Sequence, residues 1–151
     1  MRTQLSRLSQ LAEALLRTNE VSGAEATLKE GFAFVERSGE RFWLAELYRL
    51  NGRLELARAR PDGTRAEARF LQAIEIARQQ ESRVSELRAA TDLARLWGKD
   101  SIRKSRTLLE PILDAIEGGE TTRDVSKARA LLATLGAHDQ TLALPRCAVS
   151  A

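Results

Sequence analysis

Cysteine is nearly missing from this sequence. Cys147 stands alone among 151 residues, so no disulfide can close within the chain, and a reducing compartment is the default expectation. Histidine is as scarce. His138 has neither a second histidine nor a cysteine cluster beside it, so a metal site or a Cys/His nucleophile lacks its partners, and both residues read as parts of an exposed tail. No stretch approaches the roughly 18 apolar residues that span a bilayer. Met1-Arg2-Thr3-Gln4-Leu5-Ser6-Arg7 lacks the uninterrupted apolar core of a signal peptide. A cytoplasmic protein is expected. The sequence has no Gly-x4-Gly-Lys-Ser/Thr loop to cradle phosphates, and no cofactor is expected. Carboxylate pairs such as Glu36 with Glu40 and Glu81 with Glu86 come without a Gly-rich loop or a convergent polar cluster, so they read as helix surface and not as an acid/base pair. An enzyme is not expected.

Proline is limited to three residues and aromatics to 5%, whereas Ala, Leu, Arg and Glu are abundant. Unbranched side chains lose little rotamer freedom in a helix, so the composition favours helix over strand. Apolar residues at 43% against 30% charged suffice to bury one core. The net charge of +3 leaves 24 basic residues facing 21 acidic ones, interleaved along the same segments. That describes an ion-paired surface, and nucleic acid is not the expected partner, because such a footprint would gather Lys and Arg on one face with aromatics between them.

An internal repeat organises the chain. Ala24-x3-Leu28-x2-Gly31 recurs as Ala66-x3-Phe70-x2-Ala73 and as Ser105-x3-Leu109-x2-Ile112. Each triplet places its side chains on one helical stripe, where the small ones admit a neighbouring helix closely. These are the second helices of helix pairs. The first helices lie upstream, as Leu8-x2-Leu11-Ala12-x2-Leu15 in the first unit and Ala90-x2-Leu93-Ala94-x2-Trp97 in the third. In the second unit Leu44, Leu47, Tyr48, Leu50, Leu54 and Ala57 mark the corresponding helix. Gly52 lies in its middle at a cost of about 1 kcal/mol relative to Ala, for which a close helix crossing is the expected reason.

Local signals set the boundaries. Ser22-x-x-Glu25 has the form of a capping box and Thr121-x-x-Asp124 that of an acidic variant, while Pro61-Asp62-Gly63 and Gly118-Gly119 break the chain. Pro111 falls within the sixth helix, where it should kink or open the ladder. Seven helices are predicted, at about 3–18, 22–37, 41–59, 64–80, 83–97, 102–117 and 122–135. They make a single all-α domain over 1–136, with repeats at about 5–38, 42–80 and 84–118 and a capping helix at about 122–135, followed by a flexible tail at 137–151.

The small-x3-large-x2-small signature with its upstream apolar helix resembles the tetratricopeptide repeat over about residues 5–118. The units depart from that family's pattern: its typical aromatic is present at Phe70 and Trp97 but not in most other places, and the period is longer. Gly39 to Gly52, Ser85 to Trp97 and Leu108-Leu109-Glu110-Pro111-Ile112 are similar to the C-terminal helical repeats of bacterial multidomain signalling proteins, which join a cyclase or DNA-binding domain to an ATPase module. The resemblance implies an α-solenoid of three helix pairs that serves a regulatory or sensing role by binding a protein or peptide in its concave groove. It also leaves open a module that pairs two copies of a larger signalling protein as a homodimer. Neither cyclase nor ATPase chemistry carries over.

Candidate partner-binding residues follow from this arrangement. Arg49 and Arg53 stand one turn apart on the third helix, where two guanidinium groups suit an acidic segment or a chain-terminal carboxylate. The alternative is a solvated pair matched to Glu46 or Glu55. Arg88 and Arg95 on the fifth helix extend the same basic stripe. Phe42, Trp43 and Tyr48 gather three aromatics near the start of the third helix and read either as core packing or as a peptide anchor.

Overall fold

A computed structural model gives the fold of residues 3–116 and 122–142, with side chains through residue 137. Among the described residues the chain is all-helical, without a strand. The helices are α1 (Gln4–Arg17), α2 (Val21–Ser38), α3 (Leu44–Ala57), α4 (Gly63–Gln79), α5 (Arg83–Trp97), α6 (Ile102–Asp114) and α7 (Arg123–Leu142), with a single 3-10 turn at Lys99–Ser101 before α6. The first six begin and end within three residues of their sequence-predicted bounds. The seventh does not stop at 135 but continues to Leu142 through Gly136. Residues 143–151, including Cys147, and the Gly118-Gly119 break lie outside the described residues, as does the side chain of His138.

The three small-x3-large-x2-small triplets lie in the core. Of their nine residues, Ala24, Ala66, Phe70, Ala73, Ser105 and Leu109 are fully buried, and Leu28, Gly31 and Ile112 nearly so. Two apolar clusters result, one under α1, α2 and α3 and the other joining α4, α5, α6 and α7. Gly52 explains itself at the seam between them: a Cβ there would lie 2.6 Å from the Phe70 ring, which is itself fully buried and has nowhere to retreat. Leu11 departs from the expected stripe and is half exposed. No helix among the described residues is long and apolar enough to cross a membrane.

Each helix packs on the next, but the odd-numbered helices also touch one another in series: α1 on α3, α3 on α5, α5 on α7. Among the described residues the even-numbered helices make no such contacts. The odd-numbered helices therefore lie side by side, α1, α3, α5 and α7 in order.

Local chemistry fixes the corners. Asp62 caps α4, its carboxylate accepting from Arg65 N–H at 2.9 Å. Ser22 does not form the expected capping box: α2 starts at Val21 with Glu20 at its cap and no side-chain hydrogen bond there. Glu25 is drawn instead to Arg58 at 3.1 Å. Thr121 lies outside the described residues, and its neighbour Thr122 takes the capping role, accepting from Val125 N–H at 3.4 Å. Pro111 sits inside α6, which runs on to Asp114. Gly98, at φ 65° and ψ −156°, occupies a backbone region that only glycine adopts freely, and turns the chain from α5 into the 3-10 turn.

Candidate functional site

A cleft of about 410 Å³, the inner cleft, lies between the odd-numbered helices α1, α3, α5 and α7. All four helices contribute charge to it. Arg49 and Arg53 come from α3 and Arg88 and Arg95 from α5, so the structure brings together the four arginines that sequence reasoning singled out. Three further cations belong to the same wall: Arg17 from α1, and Arg123 and Lys127 from α7. Against these seven stand three carboxylates, Glu13, Asp92 and Asp124.

Arg49 is not a free grip on a ligand. It is only 5% exposed, and its guanidinium is consumed on three sides. Its Nε and Nη2 donate to the two oxygens of Glu46, one turn back on α3, at 3.0 and 2.6 Å. Nη1 donates to Asp92 of α5 at 2.7 Å, and Nη2 also reaches Glu13 of α1 at 3.2 Å. One side chain thus ties α1, α3 and α5 together. Glu46 is the expected intrahelical partner, but the pair is buried and not solvated. Burial opposes the charge on Arg49, yet the hydrogen bond and attraction of Glu46, with Asp92 behind it, outweigh that and raise its pKa further, so the group is a permanent cation. Glu55, the other candidate partner, is buried against Arg58 at 3.5 Å.

Around this knot the charges are graded by exposure. Arg53 is partly exposed and reaches Glu13 at 3.4 Å. Arg88 donates to Asp124 at 2.9 Å, joining α5 to α7, and Arg95 donates to Asp92 at 2.8 Å. Burial acts to raise the pKa of Glu13, but Arg49, and then Arg53 and Arg88, prevail and hold its carboxyl below the usual range. Arg17, Arg123 and Lys127 are exposed and make no ion pair among the described residues. The cleft is therefore a rim of cations without ion pairs among the described residues over an ion-paired floor. That arrangement suits an extended anionic group held by exposed side chains.

Tyr48 and Trp43 lie elsewhere. Tyr48 packs edge-on against Phe32 of α2 at 5.1 Å, with Arg69 of α4 6.0 Å from its ring centre. Trp43 precedes α3, packs on the first apolar cluster and carries the largely exposed Phe42 against its ring at 5.7 Å. The three aromatics divide between core and surface, and none lines the cleft.

The signal for the missed cations was available. Arg123 and Lys127 have the same one-turn spacing as Arg49 and Arg53, and Arg17 follows Glu13 by one turn. A capping role accounts for the apolar stripe of the seventh helix but not for the cations on its cleft-facing side. No group of three or more His, Cys, Asp or Glu suited to a metal ion is present among the described residues. No protein-family model, curated protein or solved structure matches the chain.

Proposed function

We propose that the chain is a non-catalytic interaction scaffold of the tetratricopeptide kind, three helix pairs stacked as a short solenoid and closed by α7. It holds an acidic protein segment along the inner face of the odd-numbered helices, as a regulatory or sensing module in the bacterial cytoplasm. The observation that carries this reading is the cleft itself, where four helices converge and seven cations face three carboxylates. Fixed ion pairs at its base spare a ligand the cost of ordering the wall, while the exposed rim supplies attraction and orientation.

The test uses a fluorescently labelled peptide of alternating Glu and Ala, with its Gln counterpart as the uncharged control. Anisotropy should show saturable binding of the acidic peptide only. Arg123→Glu/Lys127→Glu should weaken it by about tenfold or more, a loss of roughly 1.4 kcal/mol. Both residues are exposed, so the fold should persist by circular dichroism. Equal binding of both peptides, or indifference to the reversal, would remove the groove reading. A dimer independent of concentration by light scattering would favour the self-association reading instead.

A further inference from the structure

A second concavity, of about 590 Å³, lies on the other side of α5. Its α5 residues are Arg83, Glu86 and Trp97, whereas the inner cleft uses Arg88, Thr91, Asp92 and Arg95. At about 100° per residue these sets occupy opposite faces of the helix. The space exists because α4 and α6, both packed on α5, do not meet. The corresponding gap between α2 and α4 is occupied by the rings of Phe32 and Tyr48 with Arg69 beside them.

One wall of the groove is apolar. Trp97, Leu108, Pro111 and Ile112 line it, and the indole is fixed by its Nε1 donating to Glu67 of α4 at 2.7 Å. The rest is cationic. Arg78 and Arg83 contact the two oxygens of the buried Glu86, at 2.7 and 3.5 Å, so the one carboxylate lining the groove is already engaged. Arg103 and Lys104, both exposed on the first turn of α6, pair with no carboxylate among the described residues. The Lys104 ammonium rests 4.5 Å from the centre of the Trp97 ring, which sets a positive charge directly beside the apolar wall.

We propose that this groove binds a small organic anion, a single carboxylate or sulfonate on an aromatic or alkyl body. The body lies on Trp97, Leu108 and Pro111, and the anionic head meets Arg103 and Lys104. The volume lies within the range of small-molecule sites, about 300–1,000 Å³. The pinned indole and the engaged Glu86 make the wall largely pre-formed. The site is separate from the inner cleft and stands or falls independently of it.

Octanoate is a suitable probe, with 1-octanol as the same chain without the charge. In Trp43→Phe the only remaining tryptophan is Trp97, so its emission reports on the groove. Octanoate should change that emission saturably, and octanol should bind about tenfold more weakly or not at all. Arg103→Glu/Lys104→Glu should weaken octanoate by about tenfold or more, whereas Arg123→Glu/Lys127→Glu in the inner cleft should leave it within about twofold. Calorimetric titration of the unaltered chain measures the same affinity and decides the matter should Trp43→Phe fold poorly. No saturable response to octanoate, octanol binding as well as octanoate, or indifference to the Arg103/Lys104 reversal would each overturn the proposal.

Discussion

Arg49 shows how far a single residue can be read from sequence. Its one-turn match to Glu46 is visible in the spacing, but its burial is not, because that depends on α1 and α5 arriving with Glu13 and Asp92. α3 touches α1, α2, α4 and α5, and a helix so enclosed hides even its charged residues. The consequence is energetic. Asp92 keeps Arg95 and Glu13 keeps Arg53 when Arg49 is removed, but Glu46, with a side chain only 7% exposed, loses the only partner it has among the described residues. Removing one member of a buried pair typically costs about 3–5 kcal/mol, because the other charge is stranded, whereas removing both costs much less. Urea unfolding of Arg49→Met should show a loss of that order, and Glu46→Gln/Arg49→Met should recover most of it. A double variant no more stable than the single one would mean that Arg49 acts through Asp92 and Glu13 and not through Glu46. Charge reversal at Arg49 is accordingly a test of folding and not of binding.

At the scale of elements, existence was more legible than the chemistry of the termini. The stripes of apolar residues depend on spacing within one helix, so all seven helices were foreseen. Their ends depend on which backbone groups find partners. α1 stops where Asn19 adopts φ 61°, letting Asn19 N–H reach Leu16 O and Glu20 N–H reach Leu15 O. This left-handed termination pulls the start of α2 forward to Val21 and leaves Ser22 inside the helix, too late to cap it. Asparagine tolerates that conformation, so a signal was present there. α4 ends in the same way, but at Glu81, with φ 53°, while Glu81 and Ser82 N–H reach Arg78 and Ala77 O. A glutamate gives no warning of such a turn, since its Cβ crowds the backbone there by about 1 kcal/mol or more. Glu81→Gly should relieve that crowding and raise stability by about 1 kcal/mol, read as a higher melting temperature. Glu81→Ala, which keeps the Cβ, should not. An equal gain from both would locate the effect in the lost charge and not in the backbone.

For the molecule as a whole, α7 is more than an addition at one end. Val125 and Ala128 are buried in the second apolar cluster and Leu131 and Leu132 pack against it, so α7 covers the face that α5 and α6 would otherwise present to water. It also completes the inner cleft, since Arg123, Asp124 and Lys127 form its far wall and Asp124 holds Arg88. Stability and site are therefore coupled through one helix. An uncovered apolar stripe at the end of a helical stack lowers stability and invites association with another copy. A chain ending at Ile116 should unfold at lower urea and show association by light scattering that grows with concentration. A synthetic helix of residues 122–142 added in trans should reverse both effects. α3 joins the two clusters, through Gly52 against Phe70 of α4 and through Arg49 to Asp92 of α5, so loosening at α7 should weaken as it passes α3. Hydrogen exchange in the truncated chain should then rise steeply in α5 and α6, less in α4, and least in α1 and α2. A uniform rise along the chain would instead make the whole domain one cooperative unit, with α7 as an integral part of its core.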